Sequence, residues 1–255
     1  MAMESASLRE AFRNPGTEFR SAPFWAWNDK LERGELVRQI ESMKEQGAGG
    51  FFMHSRDGLE TRYMSEEWME HVRTAVQAAS ERGMTAWIYD EDRWPSGSAG
   101  GIVPSKGDAY RAKGLTIEVV REAMEVDESF VALFRAEIDG MQIGRCERLE
   151  CRPGIRCPQP GEGEALLALR IEVAEACEWF NDESPHDTLN PDSVRLFIET
   201  TYEAYKEAAG EQFGKTIAGV FTDEPSAADR HCKFTEGRGW LPWTYSFPDY
   251  YRAKR

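Results

Sequence analysis

Phe24-Trp25-Ala26-Trp27, Gly49-Gly50-Phe51-Phe52-Met53-His54 and Thr85-Ala86-Trp87-Ile88-Tyr89 are short apolar runs with amphipathic stretches between them. Runs that are apolar at consecutive positions read as strands buried on both faces. Leu36, Val37, Ile40 and Met43 recur at helical spacing after the first run. Asp29-Lys30-Leu31-Glu32 resembles a capping box ahead of them, with Asp29 as the cap and Glu32 reaching back. Gly47 ends that helix. Ser65 caps the next, with Glu66 and Glu67 at its positive end. Trp68, Met69, Val72, Val76 and Ala79 form its buried stripe, and Gly83 stops it. This β-α-β-α-β order predicts an α/β fold with a parallel sheet covered by helices.

The pattern changes from Lys113. Leu115–Val120, Phe130–Ile138 and Leu166–Val173 read as strands, punctuated by Gly and Pro, notably in Arg152–Gly163. They predict an inserted antiparallel subdomain. Helical rhythm resumes at Asn190-Pro191-Asp192, with Asn190 as cap and Pro191 at the first helical position. Val194, Phe197, Ile198, Thr201 and Tyr205 are its expected inward face. Ile217–Phe221 is a fourth strand, and the remainder to Arg255 reads as aromatic and loop-like. Four parallel strands are half of a (β/α)₈ barrel, which typically takes about 250 residues without insertions. The expected architecture is therefore a partial TIM barrel, or else a smaller open sheet. Its segments are residues 1–112 (the first three strands), 113–185 (the β-rich insertion) and 186–255 (the continuation).

The net charge of −14 argues against a nucleic-acid partner and favours a neutral or cationic ligand. No uncharged apolar run is long enough to span a membrane. The N-terminal stretch carries Glu4, Arg9 and Glu10 and lacks an apolar core, so it does not read as a secretory signal. Cys146, Cys151, Cys157, Cys177 and Cys232 show no CxxC spacing, which argues against a zinc cluster or a disulfide framework. A reducing cytoplasm is the expected compartment.

Polar and aromatic residues gather at the ends of all four strands: Trp27-Asn28, His54-Ser55-Arg56, Tyr89-Asp90-Glu91-Asp92 and Thr222-Asp223-Glu224. In parallel α/β folds ligands bind at that rim. Glu224 follows an apolar strand and precedes Pro225. Apolar walls would raise its pKa and let it protonate a leaving-group oxygen. Asp223 would face the other way, toward backbone or Arg56. The acidic run Asp90-Glu91-Asp92 reads equally as a solvated loop, as a hydroxyl-recognition element, or as oxygen ligands for a hard cation such as calcium. The loop Trp94–Gly101 lacks the Gly-Lys-Ser/Thr ending of a phosphate loop. His54 can serve a structural hydrogen bond or a sugar hydroxyl. Trp27 and Trp94 can stack on sugar rings, whereas Trp25 and Trp87 suit the core. Trp240 and Trp243 can line a cleft or pack on a neighbour. His71, His186 and His231 suggest no role.

Residues 22–28, 49–56, 89–97 and 219–225 together resemble the N-terminal part of the α-L-rhamnosidase-like proteins of glycoside hydrolase family 106. The resemblance implies a TIM-barrel catalytic domain hydrolysing a glycosidic bond with two carboxylates. Thr222-Asp223-Glu224-Pro225 is similar to the Asn-Glu-Pro acid/base element of many barrel glycosidases, which makes Glu224 the general acid. Trp27, Asn28, His54, Arg56, Tyr89, Asp90, Asp92, Trp94 and Asp223 would bind carbohydrate. Calcium at Asp90 or Asp92 is compatible with the resemblance, and no other cofactor is implied. The second carboxylate comes from a later strand in such barrels, and the sequence ends before one. The chain alone is thus expected to be nearly inactive, and to pair with the remaining barrel or with a second copy. The rival expectations are a non-catalytic carbohydrate-binding module and a metal-dependent hydrolase using Asp90, Asp92 and Asp223.

Overall fold

A computed structural model describes residues 5–140, 142–227 and 238–254. In chain order its elements are α1 (Ser5–Arg13), β1 (Phe24–Trp27), α2 (Arg33–Glu45), β2 (Gly50–Ser55), α3 (Glu66–Glu81), β3 (Thr85–Tyr89), β4 (Lys113–Val120), β5 (Met124–Glu125), β6 (Phe130–Asp139), β7 (Gln142–Arg148), β8 (Arg156–Cys157), β9 (Glu164–Val173), α4 (Pro191–Ile198), a π-helical turn (Glu199–Glu203), α5 (Ala204–Ala209), β10 (Ile217–Phe221), β11 (Arg238–Trp243) and α6 (Phe247–Ala253). The chain divides into two compact units, one of residues 1–103 and 195–225, the other of residues 104–194 and 226–255. No helix among the described residues is long and apolar enough to cross a membrane.

In the first unit the described strands form a parallel sheet in the order β1-β2-β3-β10. This establishes the α/β class. Side chains alternate across each strand, so the sheet has two faces. Trp25, Trp27, Phe51, Met53, Ala86 and Ile88 belong to the core that also takes in Leu36 and Ile40 of α2, Trp68 and Val72 of α3 and Tyr205 of α5. Phe24, Phe52, Trp87 and Phe221 lie on the opposite face, where Phe52 stacks on Trp87 with ring centroids 5.0 Å or more from its other neighbours and 5.1 Å from Trp87 itself. Gly219 is required beside Trp87, because a Cβ there would meet the indole at 2.6 Å.

Ser65 caps α3 as expected, its hydroxyl accepting from the Trp68 N–H at 3.2 Å. The capping box at Asp29 does not form. The N-cap of α2 is Glu32, without a side-chain bond, and Asp29 instead accepts from the Lys30 N–H at 2.8 Å. Asn190 does cap α4, accepting from the Asp192 N–H. The inward face that follows is narrower than expected. Phe197, Thr201 and Tyr205 are buried, while Val194 and Ile198 are 36% and 43% exposed. The π turn widens the local period, so residues four apart stay in line and their neighbours rotate outward.

The described strands of the second unit include an antiparallel sheet ordered β11-β4-β9-β6-β7 and a β5-β8 pair. Val126, Phe130, Leu133, Leu166 and Ala168 form a core there. Lys113 is fully buried. Its ammonium donates to Asp187 Oδ2 at 2.9 Å and to the carbonyls of Arg111 and Ala109 at 2.6 and 3.2 Å. Burial pushes the His186 imidazole down to about 4. Cys146 falls in β7 and Cys157 in β8, while Cys232 and His231 lie outside the described residues. The tail expected to be loop-like contains β11 and α6. Trp240 and Trp243 belong to β11, and the Trp240 indole covers Gly114 so closely that no Cβ fits at that position.

Candidate functional site

Residues of the open sheet face reach their last layer at Ala26, His54, Tyr89 and Phe221. The His54 and Tyr89 rings stack with centroids 3.8 Å apart and planes within 10°. His54 is buried, and its Nδ1 lies 2.9 Å from the Ser55 carbonyl. That bond assigns the proton to Nδ1 and leaves Nε2 as an acceptor. Burial also lowers the His54 pKa, favouring the neutral ring. Tyr89 is fully buried, and its hydroxyl has no hydrogen-bond partner among the described residues. Burial, reinforced by Asp223, pushes its pKa well up, so the hydroxyl stays a donor.

The acidic run that follows Tyr89 folds inward. Asp90 is fully buried. Its Oδ1 accepts from the Ser96 hydroxyl at 2.6 Å, and its Oδ2 accepts from Tyr202 at 2.6 Å and Thr222 at 2.7 Å. Burial, reinforced by the bond to Asp90, pushes the Tyr202 phenol up to about 12. Asp92 accepts from the Ser55 hydroxyl at 2.6 Å and lies 3.5 Å from Arg93. Glu91 is 1% exposed and sits inside the loop 94–101. Its Oε2 accepts from the N–H groups of Gly97, Ser98 and Ala99 at 2.8–2.9 Å, and its Oε1 from Asp92 and Gly100 at 2.9 and 2.5 Å. The loop can converge on one carboxylate because Gly97, Ala99 and Gly100 adopt positive φ, a conformation glycine takes freely. Burial pushes Glu91 up to about 7 while the N–H groups of Asp92, Gly100, Ala99 and Gly97 pull it back.

Ser96 also ties this loop to the end of β10. Its Oγ accepts from the Asp223 N–H at 2.8 Å, and its own N–H donates to the Asp223 carbonyl at 2.8 Å. Beyond that clamp Glu224 adopts φ +45°, an uncommon conformation for a residue with a Cβ. Phe24, Ala26, His54, Arg56, Trp94, Phe221, Asp223 and Glu224 line one cleft of about 560 Å³. That size is within the usual range of small-molecule sites. Its walls combine aromatic faces, one guanidinium, one neutral imidazole and two carboxylates.

The expected residues therefore divide. His54, Arg56, Trp94, Asp223 and Glu224 meet in the cleft. Tyr89 backs His54 from within, and Asn28 is exposed at the end of β1, outside the lining. Trp27 is corrected. It is 1% exposed, packed edge-on against Trp25 and Trp68 in the core, and offers no face to a sugar. Asp90 and Asp92 are corrected as well, since their carboxylates face hydroxyl groups of the chain instead of the rim. They do not fit calcium, because Asp90 Oδ1 and Oδ2 and Asp92 Oδ1 already accept O–H donors. Among the described residues no group of three or more His, Cys, Asp and Glu side chains is arranged to hold a metal ion. Glu224 is exposed, not enclosed by apolar walls as expected. Sequence reasoning missed Ser96 and Tyr202, and it did not see that Glu91 is the anion enclosed by the loop. The density of Gly and Ser after Glu91 was the available signal for a loop wrapped on an anion.

No protein-family model matches the chain, and no curated protein matches it by sequence. Among solved structures, the rhamnosidase from Novosphingobium sp. PP1Y is similar over 97% of this chain, with a TM-score of 0.53 and 13% sequence identity. The chain spans 41% of that rhamnosidase. At this identity the likeness is one of fold: the chain has a rhamnosidase-like α/β fold, over less than half the length of its structural neighbour.

Proposed function

We propose that this chain forms the sugar-binding and proton-donating part of a glycoside hydrolase related to family 106. In this proposal the β1-β2-β3-β10 sheet is four consecutive strands of a (β/α)₈ barrel and the cleft is its mouth. The observation that carries the proposal is the meeting of Trp94, His54, Arg56, Asp223 and Glu224 at the C-terminal ends of parallel strands. Glu224 is the general acid that protonates the glycosidic oxygen. Trp94 supplies an apolar ring face, and His54 Nε2 accepts from a sugar hydroxyl. A second carboxylate must stand about 5–5.5 Å away for retention or 6.5–9.5 Å for inversion. We place it on a later strand of such a barrel; without it, the cleft described above binds sugar but turns it over slowly.

The exposure of Glu224 favours one rival, a carbohydrate-binding module without chemistry. Nitrophenyl glycosides, α-L-rhamnoside first, separate the two. The glycosidase proposal expects saturable binding, lost in Trp94→Ala, and a slow release of nitrophenol that Glu224→Gln reduces at least tenfold. Binding with no release that Glu224→Gln alters supports the module. A chain that binds none of the glycosides refutes both.

A further inference from the structure

We infer that the glycan taken by this cleft is acidic, with the carboxylate of a uronic acid residue lying against Arg56; the inference rests on the glycosidase proposal and names its substrate class. Arg56 is exposed in the cleft wall, and its guanidinium makes no hydrogen bond or ion pair among the described residues. Arg38 pairs with Glu35, Arg73 with Glu66 and Arg82 with Glu41, while Arg33 and Arg62 are also unpaired among the described residues; what sets Arg56 apart is its place in the cleft wall. The adjacent Asp57 pairs with Arg93 instead, at 3.5 Å. An arginine left without an acid, in a chain with 45 Asp and Glu against 31 Lys and Arg, presents five donors to whatever enters the cleft.

The cleft is also polarised. Arg56 follows β2, while Asp223 and Glu224 follow β10, with β3 between them. Two strand spacings, about 9.5 Å between backbones, lie between the strand end that carries Arg56 and the one that carries the acids. A ligand that is anionic at one end and offers a proton-accepting ether oxygen at the other fits this order. A neutral sugar uses only the hydrogen-bonding capacity of Arg56 and leaves its charge unmatched. A uronate satisfies it through a planar, bidentate contact. The net charge of −14 does not oppose the assignment. At physiological ionic strength charges beyond about 8 Å are largely screened, and the nearest charge governs binding.

Calorimetric titration tests this with D-galacturonate and D-glucuronate against D-galactose and D-glucose. The expected result is that one of the acids binds about tenfold or more tighter than its neutral counterpart, the value of one charge-assisted contact. Arg56→Gln should bring that acid down to the neutral level while melting at an unchanged temperature. Acids that bind no tighter than neutral sugars overturn the inference and leave the glycosidase proposal standing. An Arg56→Gln variant that loses neutral and acidic sugars alike also overturns it. Failure of every sugar to bind, including the rhamnoside, overturns both.

Discussion

Replacing Ser96 by alanine isolates the clamp between the acidic loop and the end of β10. Ser96 is 1% exposed, and its hydroxyl holds two partners at once, Asp90 Oδ1 at 2.6 Å and the Asp223 N–H at 2.8 Å. Asp90 Oδ2 keeps Tyr202 and Thr222, but among the described residues Oδ1 has no other hydrogen bond to take the place of Ser96, and Asp90 is fully buried. Each buried group stripped of its partner costs about 1–3 kcal/mol, with the ionised acceptor at the upper end. The substitution leaves only the volume of one hydroxyl, too little for a water to take over both bonds. The sum is about 3–4 kcal/mol, a drop in melting temperature of roughly 10 °C for a unit of this size. Thermal unfolding followed by far-ultraviolet circular dichroism measures it. Sugar affinity should fall in parallel at temperatures where the variant is still folded, because Asp223 and Glu224 lose their anchor. A Ser96→Ala protein that melts within 2 °C of the parent and binds sugar equally well would refute the clamp.

Three further outcomes follow from the same geometry. Lys113→Met leaves the buried Asp187 carboxylate without its ammonium, which costs about 3–5 kcal/mol; the double variant Lys113→Met/Asp187→Leu should recover at least half of that loss in urea denaturation. His186 is held neutral down to about 4, whereas an unfolded histidine protonates near 6.5. The unfolded state therefore binds more protons between these values, so stability is lost as pH falls through that window, by about 2 kcal/mol between pH 6.5 and 5; His186→Gln should flatten that slope. Gly219→Ala drives a Cβ into Trp87 at 2.6 Å, an overpacking cost of about 1–3 kcal/mol visible as a lower melting temperature.

The strands of the parallel sheet were legible because consecutive apolar residues leave few alternatives, and the Ser65 cap because its pattern is local. What failed depended on faces and on edges. Phe24-Trp25-Ala26-Trp27 is apolar on both sides, so periodicity could not say that Trp27 turns to the helices while Phe24 and Ala26 turn to the cleft. β11 was hidden by Gly239 and Pro242, residues that argue against a central strand. It is an edge strand, where a proline is tolerated. β7 escaped because every one of its positions is exposed and no alternation marks it.

The acidic run shows why composition alone misjudges a site. Asp90-Glu91-Asp92 reads equally as charges facing water, hydroxyl recognition or cation ligands, yet each carboxylate is buried and occupied by donors from Ser55, Ser96, Tyr202, Thr222 and the 97–100 backbone. Only the fold brings Tyr202 and Thr222 to Asp90 across more than a hundred residues. The consequence for function is a division of labour among carboxylates. Those after β3 have their hydrogen-bonding capacity spent on holding the loop and Asp223 in place. Those after β10 line the cleft, where a ligand can reach them. Asp223 and Glu224 are therefore the carboxylates that a ligand in the cleft meets. A substitution in the β3 acidic run should act first on stability and only through it on binding.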